Sequence, residues 1–249
     1  MIGRPSAPFS FRWLAAEVLP SVVVTSPTLA FAAMAAESLV LTTADGERLE
    51  AEIHVPESVH GAAVLCHPHP LYGGSMRDGV PDALFKALPE RGIAALRFNF
   101  RGVGASSGTH DQGGAEQFDA TAAIDALAAA LAGRGLAVPL VVSGWSFGAD
   151  VSLATPHPSV AGWTPIAPPL RVVAAERFAA VADDPRPKLL LCPEHDQYNP
   201  PAEAATTVAG WTNTEVVTVA GADHFLWGHS AFLIDAVAAF VERIAATGA

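Results

Sequence analysis

Apolar positions in this chain fall into short dense runs separated by polar or small-residue breaks. Ala62–Cys66, Ile93–Phe98, Pro139–Ser143, Val160–Ile166 and Lys188–Cys192 are largely apolar over five to seven residues. That length and density predict strands buried on both faces. Ser38–Thr42 and Arg48–Val55 alternate or carry β-formers, and Asp45-Gly46 between them is a hairpin signal. Glu215–Val219 is a further strand. Helical patterns separate these runs: Asp78–Arg91, stopped by Gly92; Ala115–Ala132, stopped by Gly133; Val172–Ala182; Ala202–Ala209; and the amphipathic Ala231–Ala246. Strands alternating with helices predict an α/β protein with a mainly parallel twisted sheet, helices on both faces and the hairpin at one edge. Neither an internal repeat nor a low-complexity linker interrupts it.

The chain has 249 residues, 51% of them hydrophobic and 16% charged, enough for one domain with a substantial core. That domain is expected over residues 37–249. A net charge of −11, with no Lys/Arg cluster, argues against nucleic acid as a partner. Cys66 and Cys192 each end a strand and form no C-x-x-C motif, so both are expected to be small buried hydrophobes. Residues 1–36 read as an N-terminal extension. Arg4 and Arg12 precede an apolar stretch from Trp13 to Ala36, but Glu17, Pro20 and Pro27 interrupt it. It falls short of an uninterrupted membrane span and only loosely resembles a signal peptide. A cytoplasmic protein is expected, with export as the alternative; the other reading of the extension is an upstream translation start, with Met34 as the functional beginning.

One pentapeptide turns this framework towards chemistry. Gly144-Trp145-Ser146-Phe147-Gly148 is a G-x-S-x-G sequence between the apolar run Pro139–Ser143 and a helix-compatible stretch. A strand turning into a helix at serine lifts the hydroxyl clear of the sheet, and glycines two residues either side remove the Cβ atoms that would collide. A serine nucleophile needs a base, itself oriented by an acid. In a parallel sheet, such groups collect beyond the carboxyl ends of strands. Asp196, straight after Lys188–Cys192, is the candidate acid, with Glu194 as its nearest competitor. His224, straight after Glu215–Val219, is the candidate base. Asp223, its neighbour, is an alternative acid only if consecutive side chains point the same way. An oxyanion needs two donors. Phe147 N–H is one candidate; the second comes from His67–Gly74, where Pro68 and Pro70 have no N–H. His69 is the first choice there and Tyr72 the second. A rival reading gathers His67, His69, His195 and Asp196 around zinc, but no metal-ligand spacing supports it.

These residues carry a resemblance. His67–Gly74 reads H-P-H-P-x-x-G-G and Arg97–Gly108 reads R-F-N-F-R-G-x-G-x-S-x-G. With the elbow and Gly221-Ala-Asp-His224, the chain resembles the α/β-hydrolases over residues 38 to 246. More narrowly, it is similar to small bacterial serine hydrolases related to dienelactone hydrolase. That enzyme uses cysteine where this chain has Ser146, so its substrate is not carried over. Asn99, where many relatives have aspartate, is expected to be structural. The resemblance implies an α/β-hydrolase fold and a Ser146-Asp196-His224 triad needing no cofactor or metal. The implied partner is a small-molecule ester; thioesters, amides or a non-catalytic binding role on the same fold are the alternatives. Nothing in the pattern assigns an oligomeric state. Few residues separate Ile166 from Lys188, so little or no lid is expected. Trp145, Leu71, Tyr72 and Phe147 are the expected pocket-lining residues, giving a small site suited to short acyl chains.

Overall fold

The computed structural model describes residues 36–247. Residues 1–35, which hold nearly all of the expected extension and its signal-like segment, lie outside the described residues. Eight strands form a single sheet in the order β1-β2-β4-β3-β5-β6-β7-β8. β1 (Glu37–Thr42) and β2 (Arg48–His54) make the expected antiparallel hairpin at one edge. β2 also runs antiparallel to β4 (Ile93–Phe98). β3 (Gly61–Cys66), β4, β5 (Leu140–Trp145), β6 (Val160–Ile166), β7 (Lys188–Pro193) and β8 (Thr214–Val219) are parallel.

β3, β4 and β7 are buried along their whole length, and β5 and β6 at all but one residue each, because both faces are covered. β3 shows how the side chains divide. Ala62, Val64 and Cys66 enter one core, and Ala63 and Leu65 enter the other, the two-residue alternation of a strand. The first core is roofed by α2 (Glu116–Ala132) and α3 (Phe147–Leu153), the second by α1 (Gly79–Ala87) and α6 (Ser230–Thr247). Cys66 and Cys192 lie unpaired within the first core. Burial holds both thiols protonated, pushing Cys192 up to about 12. Among the described residues no helix is long and apolar enough to cross a membrane.

Two helix boundaries differ from expectation. The run from Asp78 to Arg91 divides at Pro89, which lacks an N–H to continue the helix and opens a 3-10 turn, Pro89–Arg91. Val172–Ala182 is not one helix. Only a 3-10 turn, Ala175–Phe178, and a single turn, α4 (Ala179–Ala182), form there. The N–H groups of Leu170, Arg171 and Val172 point instead at the carboxylate of Asp150 on α3, at 2.9 to 3.1 Å. Leu170 takes a left-handed φ of 54° and Ala174 a non-helical ψ of 133°, so helical turns begin only at Ala175. α5 (Pro201–Thr207) follows β7 and completes the elements.

The Arg97–Gly108 motif builds the floor of the carboxyl edge. Arg97 pairs with Glu52 and Asp82 and stacks over Phe85 at 4.2 Å. Asn99 accepts Met76 N–H and donates to Glu50, both at 2.8 Å, a structural role. Arg101 spans a fully buried Asp119 and the rim residue Asp45. A buried carboxylate without its cation is costly. Arg101→Met is therefore expected to lower the unfolding free energy by about 3–5 kcal/mol, and Asp45→Asn by no more than about 1 kcal/mol because that side of the pair is solvated. Urea denaturation checks both; equal losses would remove the buried pair from this role.

Candidate active site

The site forms where β5 runs into α3. Ser146 takes φ 56° and ψ −119°, a left-handed backbone that a serine adopts at a cost of about 1–3 kcal/mol. Its N–H is fixed to the Ile166 carbonyl at 2.9 Å. The turn is that tight because α3 sits directly on the strands. A Cβ on Gly144 would lie 2.1 Å from the Gly148 carbonyl oxygen, and one on Gly148 would lie 2.5 Å from the Cys66 and His67 oxygens.

Ser146, Asp196 and His224 are brought together from three separate strand ends. The Ser146 Oγ lies 2.9 Å from His224 Nε2, and His224 Nδ1 lies 2.8 Å from Asp196 Oδ2. His224 and Asp196 are buried. The other Asp196 oxygen accepts the N–H groups of Tyr198 and Asn199 at 2.8 and 3.2 Å, so that carboxylate is fully engaged. With Nδ1–H donating to Asp196, His224 Nε2 is left as an acceptor for the serine hydroxyl proton. The Trp145 indole donates to the His224 carbonyl at 3.2 Å, tying the elbow to the histidine loop. The competing acids stand elsewhere. Asp223 is exposed and accepts Phe225 N–H, while Glu194 accepts Gly221 N–H at 2.7 Å.

The His67–Gly74 loop closes the other side. His67 is fully buried and neutral, its pKa forced down to about 3 by burial. Its ring bridges the Pro68 carbonyl at 2.6 Å and the Phe100 N–H at 2.9 Å. Gly74 packs under the Pro68 and His69 carbonyls, where a Cβ would come within 2.3 Å and 2.8 Å of the two oxygens. The Tyr72 N–H is spent on the His69 carbonyl at 3.1 Å, which removes Tyr72 as an oxyanion donor. The N–H groups of His69 and Phe147 donate to no other group among the described residues. The zinc arrangement is not assembled, because both His67 ring nitrogens are engaged and His195 stands exposed beside Glu194.

A cleft of about 530 Å³ opens over Ser146 and His224. Trp145 and Tyr72 line it as expected. Leu71 does not; it is 72% exposed, because the 3-10 turn Pro70–Tyr72 sends neighbouring side chains in different directions. Phe147 contributes no side chain either, being fully buried against Phe100 at 5.4 Å. Sequence reasoning missed Arg171, Val172, Tyr198 and Phe225, which complete the walls. Tyr198 and Phe225 were findable as aromatic neighbours of Asp196 and His224 in the chain. Tyr198 stacks edge-on to His224 at 4.5 Å, and Arg171 lies over Tyr198 at 6.0 Å.

No protein-family model matches the sequence. An α/β serine hydrolase homologue from Coxiella burnetii is 30% identical, with a TM-score of 0.69 over 82% of this chain and 97% of that one. The chain belongs to the α/β-hydrolase superfamily. Within that superfamily it is also similar to XC6422 from Xanthomonas campestris, described as an α/β serine hydrolase without a lid. That likeness has 29% identity and a TM-score of 0.72 over 84% of this chain and 94% of that one. An uncharacterized protein of Rickettsia prowazekii is 33% identical over 171 residues, 66% of this chain and 71% of that protein. Among the described residues this α/β-hydrolase has no inserted lid either: the segment between β6 and β7 is the short stretch pinned by Asp150.

That pinning has a pH signature. Burial raises Asp150 from 3.8 to about 6, even though backbone N–H groups pull it down. The folded chain therefore holds the Asp150 proton more tightly than the unfolded chain does. The stability this contributes is full below about pH 4 and lost as pH rises through about 6. Relative to the parent chain, Asp150→Asn is expected to gain about 2 kcal/mol between pH 4 and pH 7, most of what a two-unit shift supplies. Urea unfolding of both proteins at the two pH values measures it. A constant difference would mean that Asp150 does not titrate in this window.

Proposed function

We propose that this chain is a serine hydrolase of small carboxylic esters that works through an acyl-enzyme on Ser146. The observation that carries this reading is the continuous hydrogen-bonded line from Ser146 Oγ through His224 to Asp196, opening on a cleft. His224 Nε2 takes the hydroxyl proton as Ser146 Oγ attacks the ester carbonyl carbon. Asp196 holds the ring in the correct tautomer and stabilises the imidazolium. The negative charge that develops on the carbonyl oxygen is met by the N–H groups of Phe147 and His69. When the tetrahedral intermediate collapses, His224 returns the proton to the leaving alkoxide. Water, activated by the same histidine, then attacks the acyl carbon and releases the acid and free Ser146.

The cleft walls support a small substrate. Trp145, Val172 and Phe225 offer apolar surface close to Ser146, and no inserted cap extends it. A methylene reaching past these walls gains none of the about 0.8 kcal/mol that burial supplies. A domain without a lid also has nothing to open at an oil–water surface.

Ser146→Ala and His224→Ala are expected to lower kcat about ten-thousand-fold or more with folding intact, and Asp196→Asn about ten-thousand-fold. Asp223→Asn keeps a rate near that of the parent chain. A larger loss from Asp223→Asn than from Asp196→Asn would overturn the acid assignment. Labelling of Ser146 by a fluorophosphonate separates this reading from a binding protein, which would stay unlabelled.

Across 4-nitrophenyl esters from acetyl to palmitoyl, kcat/KM is expected to peak at short chains and to show no jump above the substrate's solubility limit. A maximum at long chains would show that the cleft extends beyond the walls named here.

A further inference from the structure

A buried histidine that the steps above do not use stands directly behind the two oxyanion donors. His110 lies on the loop between β4 and α2, with its side chain 8% exposed. Its ring centroid is 4.8 Å from that of His69 and 5.2 Å from that of Phe147. The His69 and Phe147 rings are themselves 5.0 Å apart, so the three rings close a triangle. His69 and Phe147 are the residues whose main-chain N–H groups are uncommitted at the site. His110 thus touches the side chains of both donors and neither Ser146 nor His224.

The histidine is held from behind. Glu116, fully buried at the start of α2, places Oε1 at 2.7 Å from His110 Nδ1. The same carboxylate accepts the N–H groups of Asp111 and Gly113, both at 2.8 Å, which fixes it to the loop that carries His110. The His110–Glu116 contact is close but poorly aligned, and neither ring nitrogen has a well-directed hydrogen-bond partner. A buried polar ring left in that state is expensive and asks for an explanation. Filling space alone would be served at less cost by an apolar ring. A carboxylate contact does what an apolar ring cannot: it fixes the rotation of the ring wedged between His69 and Phe147.

We propose that His110, anchored by Glu116, is a positioning residue of the oxyanion hole, a wedge that sets the spacing and direction of the His69 and Phe147 N–H groups. The inference rests on the Ser146 reading. The two donors come from unrelated parts of the chain, the loop after β3 and the first residue of α3, and the wedge is the contact that their side chains share. Donor alignment matters most when charge sits on the carbonyl oxygen, so a slackened wedge acts on the transition state more than on bound ester.

The test uses the full chain with His110→Ala, His110→Phe and Glu116→Gln, on a 4-nitrophenyl ester of a short acid. The readings are kcat per site titrated with a fluorophosphonate, KM, and Ki of a trifluoromethyl ketone that forms a tetrahedral adduct on the serine. Titration removes any loss due to misfolded protein. For His110→Ala we expect kcat per site to fall about tenfold or more, the scale of a misdirected oxyanion donor. KM stays within about twofold, and Ki of the ketone rises by the factor by which kcat falls. His110→Phe restores a ring to the triangle without the Glu116 contact that fixes its rotation, and regains only part of the loss. Unchanged kcat per site, a loss carried by KM, or a phenylalanine variant as impaired as the alanine one would each overturn the proposal. Where His110→Ala does not fold, Glu116→Gln decides: a fall in kcat with a matching rise in Ki supports the wedge, and parental values refute it. A parent chain that the fluorophosphonate does not label sinks the Ser146 reading itself. A labelled parent with indifferent variants sinks only the role of His110.

Discussion

The structure depends on how closely one helix approaches one strand. Gly144 lies one residue before the end of β5, Gly148 opens the body of α3, and their backbones meet at a distance that no Cβ would permit. Gly148 at the same time leans on the carbonyls of Cys66 and His67 at the end of β3. Two strand ends and a helix start are therefore locked within one small volume. Ser146 has no room for an ordinary backbone there and takes a left-handed one. Local strain of this kind persists only where the surroundings over-determine it. Here the surroundings are the two cores on either side of the sheet. The same approach seats the His67–Gly74 loop beside the elbow, so that His69 and Ser146 line one cleft.

Buried charge serves loop placement in this fold. Arg101 with Asp119, Arg97 with Glu52 and Asp82, Glu116 beside His110, and Asp150 under residues 170–172 all act at or beside connections on the carboxyl side of the sheet. Each takes an ionised group out of water, which is costly unless partners are provided. For Asp150 those partners are main-chain N–H groups, and they offset the desolvation only in part, leaving its pKa well above the ordinary carboxylate range. The return is positional: connecting segments without helix or strand of their own acquire fixed courses. In an α/β-hydrolase the cleft is made of such segments, so the electrostatics of the scaffold and the shape of the site are one question.

The sequence by itself determined the order and kind of most elements, because strands buried on both faces and helices with one apolar side leave distinct local patterns. Ser146 was legible because a strand, a pair of glycines and a helix surround it within a few residues. Asp196 and His224 were legible because each follows a strand directly, and a parallel sheet gathers such positions at one edge. The tertiary structure decided where side chains point. Phe147 turns into the core and Leu71 out to solvent, though both stand next to the site in the chain. It also decided the fate of Val172–Ala182, whose sequence reads as helix but whose first residues follow an irregular course beside Asp150, so that helical turns begin only at Ala175. Arg171 reaches the cleft and His110 reaches the His67–Gly74 loop through contacts between segments far apart in sequence. Periodicity and turn chemistry act over a few residues and so can be read from the chain. The direction of a side chain on an irregular loop is set by whichever distant group satisfies its backbone, and only the folded chain brings that group into place.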